Sequence, residues 1–191
     1  MPPTAKFNRE SVMACALQLV REEGLDAVSA RAISVRLGCS TRPLYSLYTD
    51  MEKLKADLFE CVNRYFGKYL ADFVAKENRV NNEFMKFGLA YIAFAKSETN
   101  LFKMLFLTDS IGAGSFSELV SPSDHAFILD LIPQASSGMK NGEDAQKFFL
   151  DMWIYTHGMA MMSAFGGIAL SDTEQIQMLT HAAKSLLAAA E

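Results

Sequence analysis

Apolar residues recur every three or four positions along nearly the whole chain, and no alternating β-branched run bounded by turn pairs interrupts them. The pattern predicts an all-α protein. Val12, Cys15, Ala16, Leu19 and Val20 line one face of a first helix over about 8–23. Gly24 stands where a helix end favours positive φ, with apolar Leu25 behind it. Ser29 is the expected N-cap of a short second helix, of about nine residues, that turns Ala32, Ile33 and Leu37 inward and stops at Gly38. Ser40 is the expected cap of a third, shorter helix with Leu44 and Leu47 or Tyr48 inward.

Asp50 is the expected cap of a fourth helix over about 51–76, with Leu54, Leu58, Cys61, Val62, Tyr65 and Tyr69 spaced by threes and fours. At about 1.5 Å per residue it is near 40 Å long, enough to join two modules rigidly. Helical patterns follow at about 81–97 and 100–108. Residues 110–121 read as a loop. Pro122 suits the first turn of a helix reaching Ile132, and Pro133 limits it. Two last helices, about 142–165 and 172–190, are separated by Gly166–Gly167 and Ser171–Asp172. The count is about nine helices, in an N-terminal domain (1–50) and a larger body (51–191).

Composition narrows the class. Half of the 191 residues are hydrophobic and a fifth are charged, as a packed core requires. Cys15, Cys39 and Cys61 show no metal-binding spacing, and their odd number argues for a reducing, cytoplasmic setting. The N-terminus lacks the apolar run of a signal peptide. Residues 152–171 carry no Asp, Glu, Lys or Arg, about the length of a membrane span. Thr156, His157, Ser163 and three glycines within that stretch favour a helix buried in a core or subunit interface. No membrane association is expected. The net charge of −4 is uneven: residues 1–55 hold 8 Lys+Arg against 6 Asp+Glu, and the remainder 10 against 16. A mildly basic N-terminal quarter on an acidic body permits a phosphate-binding surface there.

The stretch Val28–Tyr48, VSARAISVRLGCSTRPLYSLY, has the plan of a helix-turn-helix. One short helix braces a duplex backbone, a glycine turn follows, and a second short helix enters the major groove. Ala32, Ile33, Leu37 and Leu44 suit the helix crossing. Arg31, Thr41, Arg42 and Ser46 are left on the outside. With Pro43 at the third helical position, the Ser40 hydroxyl has to cap through the amide of Arg42. A residue before proline also resists helical geometry, which pulls the helix start later. Lys6 and Arg9 lie within reach of a duplex as an arm, although a solvated tail is the plainer reading.

The run of anchors (Gly24-Leu25, Ser29, Ala32-Ile33, Leu37-Gly38-Cys39-Ser40, Leu44-Tyr45-x-x-Tyr48, Leu54) resembles the N-terminal domain of TetR-family transcriptional regulators over about residues 8–58. That resemblance implies phosphate contacts from Ser29, Arg31, Ser40 and Tyr45. It places Thr41, Arg42, Pro43 and Ser46 toward the bases and packs Tyr48 beneath the motif. The family usually has a lysine where Met51 begins the fourth helix. Lys53 and Lys55 stand close behind, and Lys53 is taken as the replacement contact.

The body is rich in aromatic and methionine side chains, which pack helices and also line adaptable apolar pockets. Tyr91, Phe94, Phe102, Phe106, Phe127, Trp153, His157 and Met161 are the candidate lining residues. Trp153-x-x-x-His157-Gly158 is similar to a pattern in the C-terminal domains of some TetR-like proteins. The resemblance implies a small, largely apolar effector and a homodimer through the last two helices. No metal site or cofactor is expected: His125 and His181 lack ligand-spaced partners. G-x-S-x-G, H-E-x-x-H and P-loop motifs are absent, and Gly112-Ala-Gly114-Ser115 lacks a third glycine, so no catalytic residue is assigned. The reading is a homodimeric repressor that binds a near-palindromic operator and is released by effector. A helical small-molecule binder whose motif no longer engages DNA is the alternative.

Overall fold

A computed structural model describes residues 7–107 and 142–189, and within them every regular element is helical. The helices are α1 (Arg9–Glu23), α2 (Ala30–Arg36), α3 (Arg42–Leu47), α4 (Met51–Lys76), α5 (Glu83–Ser97), α6 (Thr99–Phe106), α7 (Gly142–Ala164) and α8 (Asp172–Ala189), with a 3₁₀ turn at Leu25–Ala27. The expected loop at 110–121, the helix at 122–132 and Phe127 lie outside the described residues.

Side-chain caps set several of the helix starts. Asn8 and Ser11 form a reciprocal capping box at α1, and Ser29 accepts the Ala32 amide at α2. Asp50 accepts the Lys53 amide at 2.8 Å, and Ser171 and Glu174 bond reciprocally at α8. Gly24 and Gly38 end α1 and α2 at φ of 88° and 67°, a region closed to most side chains. Ser40 does not cap α3. Thr41 is the N-cap residue, without a side-chain bond, and α3 starts at Arg42. With the cap moved to Thr41, Pro43 has no amide to offer its hydroxyl, and the next two amides, of Leu44 and Tyr45, are bonded to the Thr41 carbonyl instead.

The described chain forms two compact units, residues 7–65 with 98–107 and residues 66–97 with 142–189. The change of unit falls inside α4, because Leu54, Leu58 and Val62 belong to the first compact unit while Phe66 and Leu70 belong to the second. These five residues are all buried and step by four. Four residues overshoot a 3.6-residue turn by about 40°, so the covered strip winds around α4 instead of following its length. Cys61, Tyr65 and Tyr69 flank that strip and are half-buried.

In the first unit Val12, Ala16, Leu19 and Val20 of α1 are buried together with Ile33, Leu44, Tyr48, Leu101 and Phe102. A polar network fastens α1 to α4 and to the start of α6. Arg21 makes a two-pronged contact with Glu98 at 3.0 and 2.9 Å, and Tyr65 donates to the same carboxylate at 2.8 Å. The Arg21 guanidinium lies 4.4 Å from the Tyr65 ring centre, and Asn100 donates to the Arg21 carbonyl. In the second unit α5 packs on α7 and α8, through Phe84, Phe87, Phe148, Phe149 and Met152 among others. Arg79 binds Glu77 and Asp172 there, and its hydrogen bonds pull the Glu77 carboxyl down to about 2.

Glu98→Gln leaves the Arg21 guanidinium without its carboxylate in a mostly covered position. The variant is expected to lose about 1–3 kcal/mol of unfolding free energy in urea titration, with the denaturant slope unchanged. An unchanged midpoint would show that the network contributes nothing to stability.

Candidate functional site

α2 and α3 cross on the α1 core through Ile33 and Leu44, and Tyr48 closes the crossing from below, 3% exposed. Ser34 is buried with them, while Ala32, Leu37 and Leu47, which periodicity also turns inward, are half-buried. Burial and the nearby Asp57 carboxylate push the Tyr48 phenol up, while the Arg9 guanidinium acts in the other direction. The residues proposed to meet DNA lie on the other side. Ser29, Arg31, Ser40, Thr41, Arg42, Tyr45, Ser46 and Lys53 are all exposed, with Pro43 half-buried among them. Tyr45 is 52% exposed, unusual for a large ring on a helix whose next neighbour but two is fully covered.

The cations from α1 to the start of α4 divide into two groups. Arg9, Arg21 and Arg36 are each tied to carboxylates, Arg36 to Glu22 and Glu23 at 2.6 Å. Lys53 pairs with Asp57 one turn along α4 at 2.8 Å, and Lys55 faces Glu52 at 3.7 Å. Among the described residues neither Arg31 nor Arg42 has a hydrogen-bond or ion-pair partner. Both are therefore available to an anion without an exchange of partners. Ser29 spends an acceptor lone pair on the Ala32 amide at 3.1 Å, which leaves its hydroxyl hydrogen for a phosphate oxygen. At the start of α4, Met51 brings no charge and Asp50 already occupies the Lys53 amide.

Arg9 was expected on a tail or an arm. It is instead the first residue of α1, and its guanidinium turns back to α3. Lys6 lies outside the described residues.

The second unit contains a small apolar cavity of about 20 Å³, room for one water. Its lining includes Phe84, Phe87, Tyr91, Phe149, Met152, Trp153 and Leu179. Of the sequence candidates, Tyr91 and Trp153 line it, and His157 stands directly behind. The Tyr91 hydroxyl and His157 Nδ1 are 2.8 Å apart, and the Trp153 indole stacks on the imidazole at 5.2 Å. Phe94 packs on Phe66 and Tyr69 instead. Phe102 and Phe106 pack on each other with tilted rings in the first unit, and Met161 is half-buried on α7 away from the lining. Gly88 and Thr156 are lining residues that periodicity alone does not mark. A Cβ at Gly88 would meet Leu179 at 3.4 Å, an ordinary van der Waals contact.

Polar groups beside the cavity are internally satisfied. Thr156 donates to the Met152 carbonyl at 2.7 Å. Burial pushes the Tyr91 phenol well up, opposed by a hydrogen bond from Trp153, and pushes His157 down. Both are thus neutral near pH 7, with the phenol able to donate to Nδ1. Among the described residues no group of three or more His, Cys, Asp or Glu side chains is placed to hold a metal ion, and no helix is long and apolar enough to cross a membrane.

Because the folded chain resists protonating His157, the unfolded chain takes up that proton first, just below the ordinary value of 6.5. Stability is expected to fall as pH drops from 7 through that region, and His157→Gln should flatten this part of the profile. Urea midpoints followed by the fluorescence of Trp153, the chain's single tryptophan, provide the measurement. Identical slopes for variant and parent would remove His157 as the cause.

No protein-family model matches the sequence, and no curated protein does. Solved structures do. A putative transcriptional regulator from Pseudomonas aeruginosa PAO1 superposes with a TM-score of 0.68 at 15% identity, over 95% of this chain and 91% of that one. A putative TetR-family transcriptional regulator from Vibrio parahaemolyticus gives 0.67 at 17% identity, over 92% and 96%. A TetR-like transcriptional regulator from Rhodococcus sp. RHA1 gives 0.66 at 18% identity, over 94% and 96%. The chain has the all-α fold of TetR-type transcriptional regulators.

Proposed function

We propose that this protein is a ligand-responsive transcriptional regulator that binds a near-palindromic DNA operator as a homodimer, represses transcription, and is released by a small, largely apolar effector. The observation that carries the reading is the outer side of α2 and α3: a mostly polar, solvent-facing surface on which Arg31 and Arg42 have no partner among the described residues, built on a crossing closed by buried Ile33, Leu44 and Tyr48. Arg42, in the first turn of α3, is the candidate for base readout in the major groove. Arg31, Ser29, Ser40 and Tyr45 are the candidates for phosphate contacts. Thr41, Pro43 and Ser46 stand beside Arg42 toward the bases, and Lys53 joins the phosphate set by exchanging Asp57 for the duplex. In this reading residues 1–50 hold the DNA and residues 51–191 the effector and the dimer contact.

Two features support the remaining parts. The cavity between α5, α7 and α8 has apolar walls, and methionines at its edge can yield to a larger guest. Ile154, Tyr155 and Met162 on α7 and Met178 on α8 are exposed apolar side chains, as a helix pair closed by a second copy would show. The protein is read as cytoplasmic, with no membrane partner and no cofactor.

The test is selection of bound DNA from a random pool at low salt, followed by titration of the selected duplex. Arg42→Ala is expected to weaken that duplex by roughly 5- to 100-fold and to relax preference at one base pair per half-site. Arg31→Ala is expected to weaken all sequences alike and to make the slope of log affinity against log salt shallower by about 0.9 per lost phosphate contact. Wild-type protein with no affinity for any duplex, or an Arg42→Ala variant with unchanged sequence preference, would overturn the assignment.

A further inference from the structure

Resting on the DNA-binding reading above, we infer that Arg9 is a positioning residue for base recognition: it holds the C-terminal end of α3 and does not touch DNA itself. α3 has six residues and no side-chain cap at its start, so its own hydrogen bonds cannot keep it in place. Two buried side chains, Leu44 and Tyr48, pin it to the core from one side. Its far end is held by a residue 38 positions away: Arg9 donates through Nη2 to the Leu47 carbonyl at 2.9 Å. The same guanidinium lies 4.9 Å from the centre of the Tyr48 ring and 3.6 Å from Asp57 on α4. One planar cation thus bonds the last carbonyl of α3, lies on the ring that closes the helix crossing, and faces a carboxylate of α4.

The chemistry fits the place. The C-terminal end of a helix carries partial negative charge and unpaired carbonyls, which a cation satisfies. A guanidinium has enough donors to bond a carbonyl and face a carboxylate simultaneously, which an ammonium on a flexible stem does less well. Asp57 also binds Lys53 at 2.8 Å, so when Lys53 leaves for the duplex the carboxylate is left to Arg9 alone. Loss of Arg9 frees α3 to tilt about Leu44, which moves Arg42 and Ser46 relative to any bases they face. Backbone contacts elsewhere on the motif are untouched.

Specificity and salt dependence separate this role from a direct phosphate contact. In Arg9→Met the ratio of selected-duplex to random-duplex affinity is expected to fall by about fivefold to tenfold, with the salt slope unchanged. Asp57→Asn removes no cation and is expected to lower the same ratio in the same direction. Arg9→Lys, which keeps the charge, should recover only part of it. A shallower salt slope with an unchanged ratio would make Arg9 a phosphate contact and overturn the inference, as would variants that match the parent in both quantities. Variants that lose helical circular dichroism and bind every duplex more weakly at an unchanged ratio would overturn it as well, by assigning Arg9 to folding. Wild-type protein that binds no duplex at all overturns the DNA-binding reading first, and this inference with it.

Discussion

α2 and α3 are seven and six residues long, and helices of that length do not persist alone in water. They exist because the apolar stripe of α1 supplies a surface to fold on. Val12, Ala16, Leu19 and Val20 are removed from solvent together with Ile33, Leu44 and Tyr48, and each fully covered large side chain contributes about 1.5–3 kcal/mol. Side chains that face this core cannot face outward. The polar surface of the motif is the remainder left when the inward positions are satisfied, and its character follows from that division.

Electrostatics refines what the core begins. Carboxylates from α1, α4 and the α5–α6 junction neutralise three of the arginines, and in doing so they brace the unit. The two arginines of the motif that escape pairing stand on the exposed side, in an acidic protein of net charge −4. Such a distribution disfavours indiscriminate adhesion to polyanions while leaving a local cationic site. The second unit follows a different rule. Its cavity is bordered by hydrogen-bonded Thr156, Tyr91 and His157, each held neutral or internally paired, so that the wall offers little to a charged guest.

Several helix starts and stops were legible in the sequence from local chemistry: Ser29 and Asp50 as caps, Gly24 and Gly38 as ends; the boxes at Asn8–Ser11 and Ser171–Glu174 were not. The caps failed as a guide at Ser40, where α3 starts one residue later than a Ser40 cap requires, with Thr41 as its N-cap residue. Phe66 and Leu70 continue the step of four from Leu54, Leu58 and Val62, but Cys61, Tyr65 and Tyr69 are spaced in the same way, and periodicity does not choose between the two neighbouring stripes. Contacts between distant residues leave no local trace. The link from Arg21 to Glu98 spans 77 positions, and nothing near Arg9 foretells that it returns to Leu47. The aromatic residues of the body read equally as helix packing or as pocket lining, and their division was not readable: Phe102 and Phe106 went to the first unit, and Tyr91 and Trp153 to the cavity of the second.

Consider last the outer positions of α3. Thr41, Arg42 and Tyr45 are solvent-facing and support none of the core. Exchanges at such sites ordinarily change stability by about 0.5 kcal/mol or less. A lineage carrying this scaffold can therefore wander through many surface alphabets at those places, acquiring a new molecular address by single steps, while selection for foldedness stays silent.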